Sequence, residues 1–519
     1  VGKQKNLIIK IENNTQDLDE VVIVAYGTMK KSDVNAAIVS IKPKDLEINT
    51  SSSVTQTLAG RAAGLTVLGG SAQPGGGQQV LIRGAASVGA GNEPLYVIDG
   101  FPVSNANIDP GSGSRYSQGD RNFLNTLNPN DIVSIEILKD ASATAIYGAR
   151  GCNGVILITT KRGGNGYKVD YSGNYSVQTI AKRPIMLTAS ELMTKTNSFL
   201  YEEYLMRFKA FPYGTRALNT LPAFRPKYTQ DQISDAGVGT DWYGLITQQG
   251  LINQQNVSIS KGSEDSKVLF SMNYFDQQGV IKTSGLQRFS GRLNVDQKLT
   301  KWLDFSISLT GSVIDNTNAA LGGGDNENSG IIQSALQYSP LIEPIRDENG
   351  EYVLNPNQAL IPNPLSFLDI TDNTSQKRWL TNAFFNIHFD KYASLKLTAG
   401  MDDDRALRTL YLPKTFMYGK GQNGFASIVD NSKTDYLTEA TFSYMRDIAK
   451  DHNFSALLGY SFQQLNIRGN SANTYDFFTD AFLYNQLSAG SGTPVVNSWR
   501  SQSLIASYFG RLQSSLRDR

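Results

Sequence analysis

Alternation of apolar and polar residues with a period of two runs through the chain from Tyr167 onward. Such alternation turns one face of a β-strand toward an apolar medium and the other toward water or polar groups. It recurs over about ten residues at a time, for example at Val268–Tyr274 and Phe454–Gln463. Further segments with the same pattern are Phe305–Thr310, Phe385–Asp390 and Leu395–Met401. The pattern restricts this part of the chain to a transmembrane β-barrel or a soluble β-sandwich.

Strand length, aromatic placement and connection length favour the barrel. Tyr and Phe recur near strand ends, as the aromatic girdles of a membrane barrel require. The connections Asp390–Ala393 and Asp447–His452 are short, whereas Asn316–Gln376 and Asn466–Arg500 are long, and outer-membrane barrels show this asymmetry. We count about ten or eleven strands. Because a barrel in lipid must close to pair every backbone group, we expect this to be roughly the first half of a longer protein.

The composition is compatible with a membrane barrel and disfavours several other classes. The 519 residues are 40% hydrophobic, and no run of about 18 apolar residues predicts a transmembrane helix. A net charge of +1 gives no electrostatic basis for binding nucleic acid. One Cys and two His leave little room for thiol or zinc chemistry, and no Ser/His/Asp arrangement predicts an enzyme. No signal peptide opens the chain, so we expect its start to be processed or incomplete.

Residues 32–162 lack the long alternating segments and are typical of a mixed α/β domain with short strands. Strand-like runs occur at Gln79–Gly84, Leu95–Asp99, Ile132–Leu138 and Val155–Thr160. Loops rich in Gly and other small residues separate these runs, because Gly and Pro interrupt regular structure. The sequence therefore predicts a compact α/β domain ahead of the long strands.

Several ordered motifs in this region carry a resemblance to a known family. They are L-A-G-R-A-A-G-L-T-V at Leu58–Val67, I-R-G at Ile82–Gly84, P-L-Y-V-I-D-G at Pro94–Gly100, L-N-P-N-D-I at Leu127–Ile132 and L-K-D-A-S-A-T-A-I-Y-G-A-R at Leu138–Arg150. Together they resemble the plug domain of TonB-dependent outer-membrane transporters, specifically the SusC/RagA-like branch. The resemblance implies a transmembrane β-barrel of the 22-stranded type, of which only about the first half is present. A mixed α/β plug domain would lie in its lumen.

The resemblance also divides the chain into four parts. Residues 1–16 resemble the tail of a carboxypeptidase-regulatory-like β domain, 17–31 the TonB box and its linker, 32–165 the plug domain, and 166–519 the N-terminal part of the β-barrel. A short β-prone run beside acidic residues suits strand addition to a partner's sheet. The alternative is an ordinary edge strand, which the residues alone favour and the family context does not. The predicted TonB box consists of Asp19, Glu20, Val21, Val22, Ile23, Val24, Ala25, Tyr26 and Gly27.

Six charged residues of the plug are candidate gating groups. In a plug enclosed by a polar lumen, we expect them to pair with each other or with residues of the barrel wall. Holding or releasing those pairs would then gate the channel. The alternative is a set of surface charges, each contributing under about 1 kcal/mol to stability. The six residues are Arg83, Asp99, Glu136, Lys139, Asp140 and Arg150.

Three plug loops, Gly69–Gly77, Ala86–Asn92 and Asn105–Asn122, are predicted to face the substrate. Aromatic residues near these loops would stack on sugar rings or, alternatively, pack inside the plug. They are Phe101, Tyr116 and Phe123. Residues 69–77 do not predict a phosphate loop, because no Lys-Ser/Thr follows them.

No cofactor and no metal site is predicted. Asp402–Asp404 offer oxygen ligands of the kind that Ca²⁺ prefers, but a solvated turn or a pore-lining charge is the better interpretation, so calcium stays unsupported. His388 and His452 share no zinc spacing, and His388 is interpreted as a polar residue facing the lumen. Cys152 is expected to pack as a small buried side chain.

The resemblance implies TonB-dependent import of a nutrient across the outer membrane, with an oligosaccharide favoured and an oligopeptide as the alternative. The implied partners are a SusD-like surface lipoprotein, outer-membrane lipid, and TonB with its ExbB/ExbD energy supply. The N-terminus would be periplasmic, and transporter–lid pairs would form dimers. One rival function is a siderophore or cobalamin receptor without a lid, which the motif at Leu138–Val155 disfavours. The other is a soluble β-rich carbohydrate-binding adhesin, which leaves the plug-like domain without a role.

Overall fold

A small mixed sheet and a large antiparallel sheet form the framework of the described residues. The computed structural model describes residues 21–24, 27–30, 38–41, 53–85, 87, 91–106, 108–111, 121–322, 330–348, 350–449 and 452–516. The first strands are β1 (Val21–Val24) and β2 (Gly27–Lys30), which pair with each other in antiparallel fashion. No helix among the described residues is long and apolar enough to cross a membrane.

The small sheet belongs to the plug region. Its strands are β3 (Ile38–Ile41), β6 (Leu95–Ile98), β7 (Phe101–Val103), β8 (Ile132–Leu138) and β9 (Val155–Thr160), in the order β3-β8-β9-β6-β7. Only β6 and β9 pair in parallel. A separate hairpin joins β4 (Leu65–Gly69) to β5 (Gln78–Ile82). Short helices at Val54–Leu58 and Ala141–Thr144 and 3₁₀ turns at Phe123–Thr126, Pro129–Asp131 and Ala145–Gly151 complete the region.

The large sheet is a meander in which every strand pairs with its sequence neighbours. It has ten strands among the described residues, all antiparallel. They are β10 (Gly166–Gln178), β11 (Gly250–Gly262), β12 (Ser266–Gln278), β13 (Gly285–Thr300), β14 (Leu303–Thr317), β15 (Thr371–His388), β16 (Ala393–Leu412), β17 (Phe425–Ala449), β18 (His452–Tyr475) and β19 (Val495–Leu516). We call this sheet the barrel wall.

The connections of the wall are short at one end and mostly long at the other, as predicted. At the short-turn end, β15 and β16 are joined by residues 389–392 and β13 and β14 by residues 301–302. At the other end, residues 179–249 and 318–370 form long connections that contain helices at Ala189–Arg207, Gln230–Ala236, Trp242–Ile246 and Ile331–Gln337 and 3₁₀ turns at Leu218–Thr220 and Pro364–Asp369. The connections 413–424 and 476–494 lie at the same end and contain a helix at Met417–Gly421 and a 3₁₀ turn at Leu487–Ala489.

The predicted long connections were too long, because the strands extend beyond their alternating segments. Strand β15 begins at Thr371 and β18 continues to Tyr475, whereas the predicted connections reached Gln376 and began at Asn466. Backbone pairing continues where both faces have become polar, so hydrophobic alternation marks the apolar band and not the strand ends.

The two faces of the wall differ as the alternation predicts. On β12, Phe270, Met272 and Tyr274 are exposed on the outer face, while Ser271 and Asn273 are buried on the inner one. The plug packs against this inner face, and its core continues into the wall: Leu380 and Leu437 of the wall belong to the same cluster as Ile98 and Phe101 of the plug.

The long connections fold together instead of running separately over the surface. Trp242, Phe367 and Phe416 come from three different connections and share one buried cluster. Trp242 packs edge-on against Tyr338 with ring centroids 4.7 Å apart and donates its indole N–H to the carbonyl oxygen of Ser339 at 2.9 Å. The long-connection end of the wall is therefore a folded layer with a core of its own.

The face assignment can be tested at two positions of β18, one on each face. Leu458 is 62% exposed on the outer face, whereas Leu457 is buried on the inner face. We expect Leu458→Arg to impair assembly in the membrane, because a cation on the lipid face costs about 2–4 kcal/mol near the midplane. The measurement is the heat-modifiable, folded fraction of the full-length protein in outer membranes. The control is Ser455→Arg on the inner face of the same strand, which should assemble; the opposite outcome for the pair would mean that the faces are reversed.

Candidate functional site: the interface between plug and barrel wall

Buried cations on the inner face of the wall form the main polar contacts with the plug. They occupy inward-facing positions of β13 and β15–β17 and are almost completely shielded from solvent: Arg288, Arg292, Arg378, Arg408 and Lys433. Burying a charge is costly unless it is paired or fully hydrogen-bonded. The partners of these cations therefore show where the plug is held.

One contact comes from the tight turn that joins β6 to β7. Asp99 and Gly100 have φ angles of 49° and 87°, as the two central residues of a hairpin turn with positive φ require. The turn presents the Asp99 carboxylate to Arg292 of the wall, with which it forms a buried ion pair. The same carboxylate accepts hydrogen bonds from the backbone N–H and hydroxyl of Thr160 at 3.0 and 2.6 Å. Asn382 of the wall donates to the Asp99 carbonyl at 2.8 Å.

Burial by itself would raise the pKa of Asp99, but Arg292 and the hydrogen bonds from Thr160 outweigh it. The pKa therefore lies below its ordinary value. The contribution of the ion pair to stability is complete above about pH 4, the ordinary pKa of Asp, and is lost as the pH falls through the lower pKa of the folded state.

A second set of contacts holds backbone carbonyls of the plug around the 3₁₀ turn Phe123–Thr126. Arg288 donates to the carbonyl oxygens of Asn125 and Leu127 at 2.7 and 3.1 Å. Arg378 donates to the carbonyl oxygen of Phe123 at 3.1 Å and to the hydroxyl of Thr126 at 2.9 Å. The carbonyls of Asn125 and Leu127 lie at the end of a short helical turn, where carbonyls lack intrahelical partners, and they are therefore free to accept from Arg288. The Phe123 carbonyl, at the start of the turn, accepts from Arg378 in addition to the Thr126 hydroxyl at 3.0 Å.

Carboxylates on the inner face of the wall form ion pairs with some of these cations. Asp402 accepts from Arg378 at 2.7 and 2.9 Å and lies 3.8 Å from the Lys433 ammonium. Asp372 pairs with Arg408 in the same two-oxygen geometry, at 2.9 and 2.6 Å. The cations still reach the plug: Lys433 donates to the carbonyl of Ser104 at 2.9 Å.

The interpretation of Asp402–Asp404 as a solvated turn is wrong, and the pore-lining alternative fits. The three residues lie inside β16, with Asp402 and Asp404 buried on the inner face. Asp403 points the other way, toward Arg405 and Thr434. Among the described residues no group of three or more Asp, Glu, His or Cys side chains is arranged to hold a metal ion.

The six predicted gating charges do not form one cluster. Arg83 pairs with Asp140 at the exposed surface of the plug, and Lys139 donates to the carbonyl of Ala63 at 3.0 Å. Arg150 reaches the wall and donates to the side chain of Gln463. Glu136 is buried, which raises its pKa, although a hydrogen bond from Ser134 acts in the opposite direction. With Asp99, two of the six contact the wall, and their gating role stays a prediction.

Of the two alternatives left open for Phe101, packing fits, because the ring is fully buried in the core that joins plug and wall and lies beside Gly400 of β16. The prediction of a buried side chain at position 152 is wrong. Cys152 is exposed and not buried. His388 lies near the short-turn end of the inner face, where its ring contacts Asp304 at 2.8 Å.

The remaining predicted residues are only partly described. Asp19, Glu20, Ala25 and Tyr26 of the TonB box and the aromatic residue Tyr116 lie outside the described residues. Within the box, the backbone of Val21–Val24 pairs with the segment that begins at Gly27.

A cavity of about 650 Å³ lies between plug and wall near the long-connection end. Phe123, the third predicted aromatic, lines it and packs edge-on against Tyr96 with ring centroids 5.1 Å apart. Parts of two predicted substrate-facing loops also line it, around Gly69 and Asn105. The wall contributes polar side chains, among them Asn316, Thr374 and Gln376. The lining offers amides, hydroxyls and an aromatic pair to a polar guest.

The wall residues that hold the plug were largely missed from the sequence. Arg378, Arg408 and Lys433 received no role, although each stands at a polar position of an alternating strand. The available signal was their charge. A charged residue on the polar face of an alternating strand must be either solvated in the lumen or paired with another group, and the plug can supply such a group.

Comparisons with known proteins agree with this geometry. Residues 30–155 match the TonB-dependent Receptor Plug Domain. The whole chain is 32% identical to TonB-dependent receptor P26 of Formosa agariphila and 29% identical to TonB-dependent receptor SusC of Bacteroides thetaiotaomicron, in each case over 49% of the relative. The RagAB peptide importer in its open-open state superimposes with a TM-score of 0.76 at 22% identity, covering 96% of this chain and 55% of that one.

A weaker structural likeness exists to the ferric citrate transporter FecA in the unliganded form. The TM-score is 0.54 at 12% identity, over 93% of this chain and 54% of that one. At such identities both structural matches speak for the fold alone.

A plug domain packed against the inner face of a membrane-type antiparallel sheet defines the TonB-dependent receptor class, and the predicted fold class is confirmed. Within that class, the chain is similar over its whole length to the SusC-like receptors, at about 30% identity. It spans about half the length of the curated relatives that it matches, 49% of P26 and 49% of SusC.

The buried pair of Asp99 and Arg292 should contribute strongly to plug attachment. Asp99→Asn leaves Arg292 buried without its counter-charge, and removing one partner of a buried pair costs about 3–5 kcal/mol. We expect the plug of the full-length protein to become protease-sensitive at lower denaturant concentration, measured by limited proteolysis in detergent. In the control Asp140→Asn, the exposed pair with Arg83 is lost, and the change should stay below about 1 kcal/mol. Equal protection of both variants would show that Arg292 does not need the plug carboxylate.

Proposed function

We propose that the protein containing this chain is an active importer that takes a nutrient across the outer membrane with energy delivered by TonB. The observation that carries the proposal is the polar plug–wall interface, in which buried cations of the wall hold the plug through Asp99 and through carbonyls around Phe123–Thr126. A plug held in this way closes the lumen at rest. Passage of a nutrient then requires that contacts at this interface break, which calls for an energy source.

The TonB box supplies the coupling in this proposal. Asp19–Gly27 would become available on the periplasmic side and add as a strand to TonB, which ExbB and ExbD energise. Strand addition suits this segment because main-chain hydrogen bonds supply affinity with little demand on side chains. Residues 1–16 would precede the box as the tail of a carboxypeptidase-regulatory-like domain, 32–165 would form the plug, and 166–519 would begin the barrel.

The cargo and the lid belong to the same proposal. The relatives include a protein named SusC and the RagAB peptide importer, so a SusD-like surface lipoprotein is the expected partner, and transporter–lid pairs would assemble into dimers. The cavity near the long-connection end offers polar groups beside the Tyr96–Phe123 pair. These groups suit an oligosaccharide, with an oligopeptide as the alternative, since both present many hydrogen-bonding groups.

Deletion of Asp19–Thr28 from the full-length protein tests the energy coupling. We expect uptake of the nutrient to be lost while binding at the cell surface is retained, because the segment contributes nothing to the extracellular side. Growth on single glycans or peptides as the carbon source measures uptake, and labelled substrate on intact cells measures surface binding. The matched control deletes ten residues of the long connection at 213–222. Uptake that persists without Asp19–Thr28 would refute the TonB-box assignment.

A further inference from the structure

Arg121 of the plug stands where the cavity meets the wall. It lines the cavity together with residues of the Gly-rich loop at 69–77, and it is the only cation among the described lining residues. Its guanidinium donates to the carbonyl of Pro74 in that loop and to two side-chain oxygens at the end of β14. These belong to Asn316 of the strand, at 3.3 Å, and to Asn318, the first residue after it. One side chain thus links the cavity, the Gly-rich loop and the wall.

The wall side of this link leads to a buried carboxylate. Asn318 donates to Asp372 at 2.9 Å and to Thr374 at 3.0 Å. The same Asp372 binds Arg408 through both oxygens, and Arg408 donates to the plug carbonyl of Pro110 at 3.2 Å. Asp372 is therefore connected to the plug at two points. Arg408 links it to the carbonyl of Pro110, and Asn318 links it to Arg121. We call this chain of contacts, Arg121–Asn318–Asp372–Arg408–Pro110, the Asp372 anchor.

The two halves of the anchor differ in strength. Arg408 is bound to a carboxylate in a two-oxygen geometry, and such charge-assisted pairs are roughly twice as strong as neutral hydrogen bonds. The contacts named for Arg121 are to neutral oxygens: one backbone carbonyl and two side-chain amides. Neutral acceptors can be replaced by hydroxyl or carbonyl oxygens of a guest in the cavity without leaving a carboxylate unpaired.

Arg121 keeps its charge although it is half-buried here. Burial lowers its pKa to about 10, with Asp109 and Asp372 acting in the opposite direction and Arg408 adding to the decrease. At neutral pH the guanidinium therefore remains a cation within electrostatic reach of Asp372.

We propose that Arg121 is the residue through which occupation of the cavity is passed to the barrel wall, because a guest rich in oxygen acceptors competes with Asn316 and Asn318 for its guanidinium. Arg121 acts as a positioning residue of the plug, and its release from Asn318 is the change that loosens the plug at the long-connection end. The Arg408 half of the anchor keeps the plug in place while this happens. This inference rests on the proposed TonB-dependent function and adds the residue that links the cavity to the barrel wall.

The test replaces the guest by a mutation, so that no knowledge of the nutrient is needed. Full-length protein carrying Arg121→Ala or Asn318→Ala is titrated with the purified periplasmic domain of TonB in the absence of any nutrient. Both variants should bind the TonB domain about fivefold or more tightly than the wild type, the lower end of usual coupling between sites. The double variant should add nothing further, because both substitutions break the same link.

Arg83→Ala is the matched control. Arg83 is also a plug arginine, but it pairs with Asp140 on the plug surface, so this variant should bind the TonB domain like the wild type. Hydrogen exchange at residues 69–79 should rise in Arg121→Ala and not in Arg83→Ala. Should Arg121→Ala fail to assemble, Asn318→Ala carries the comparison alone.

The outcomes separate the two proposals. Wild-type protein that does not bind the TonB domain and imports without TonB would overturn the proposed function. Wild-type protein that binds it, with Arg121→Ala and Asn318→Ala indistinguishable from Arg83→Ala, would overturn the role of Arg121 and leave the proposed function standing. Tighter TonB binding in Arg121→Ala, Asn318→Ala and Arg83→Ala alike would also overturn the role of Arg121, because the effect would then follow from loosening the plug at any position.

Discussion

The requirement that every backbone group in lipid be paired controls the rest of this structure. It forces the chain after residue 165 into a continuous antiparallel meander, in which each strand pairs with its neighbours along its length. Pairing of this kind turns alternate side chains outward to an apolar medium and inward to a lumen. The inner face can then carry Arg288, Arg292 and Arg378, each of which would cost about 2–4 kcal/mol at a lipid-facing position near the midplane. The plug interface is therefore a consequence of how the sheet must be built.

Most contacts of the plug with the wall use its backbone or small side chains, and this determines which plug positions tolerate substitution. Arg288 and Arg378 contact carbonyl oxygens around Phe123–Thr126, and Lys433 contacts the carbonyl of Ser104. Such contacts depend on the path of the chain more than on side-chain identity. Asp99 is different, because its carboxylate is the counter-charge of Arg292. Substitution in the plug should therefore be tolerated at many contact positions and poorly at Asp99.

The sequence was sufficient for local features and insufficient for contacts that depend on register. Alternation at Phe270–Tyr274 predicted the faces of β12, and the strand-like run Leu95–Asp99 predicted β6 to within one residue. By contrast, the pairing of Arg378 with Asp402 depends on β15 and β16 lying in one particular register. Nothing in either strand alone indicates that register. For the same reason the sequence left open whether Phe101 faces a substrate or packs in the core, since only Gly400 opposite shows that the ring is enclosed.

Two strengths of attachment coexist at one interface, and the difference bears on how such a plug can move. Cations backed by carboxylates, such as Arg408 on Asp372, are costly to separate because a buried charge would be left alone. Cations that donate to neutral oxygens, such as Arg121 on Asn318, can exchange partners at little cost when another acceptor arrives. If all contacts were of the first kind, a guest in the cavity could not affect the wall. If all were of the second kind, the lumen would leak. A plug that both seals and responds needs both kinds of contact: Arg292 and Arg408, each paired with a carboxylate, hold it in place, and Arg121 beside the cavity can exchange its neutral acceptors.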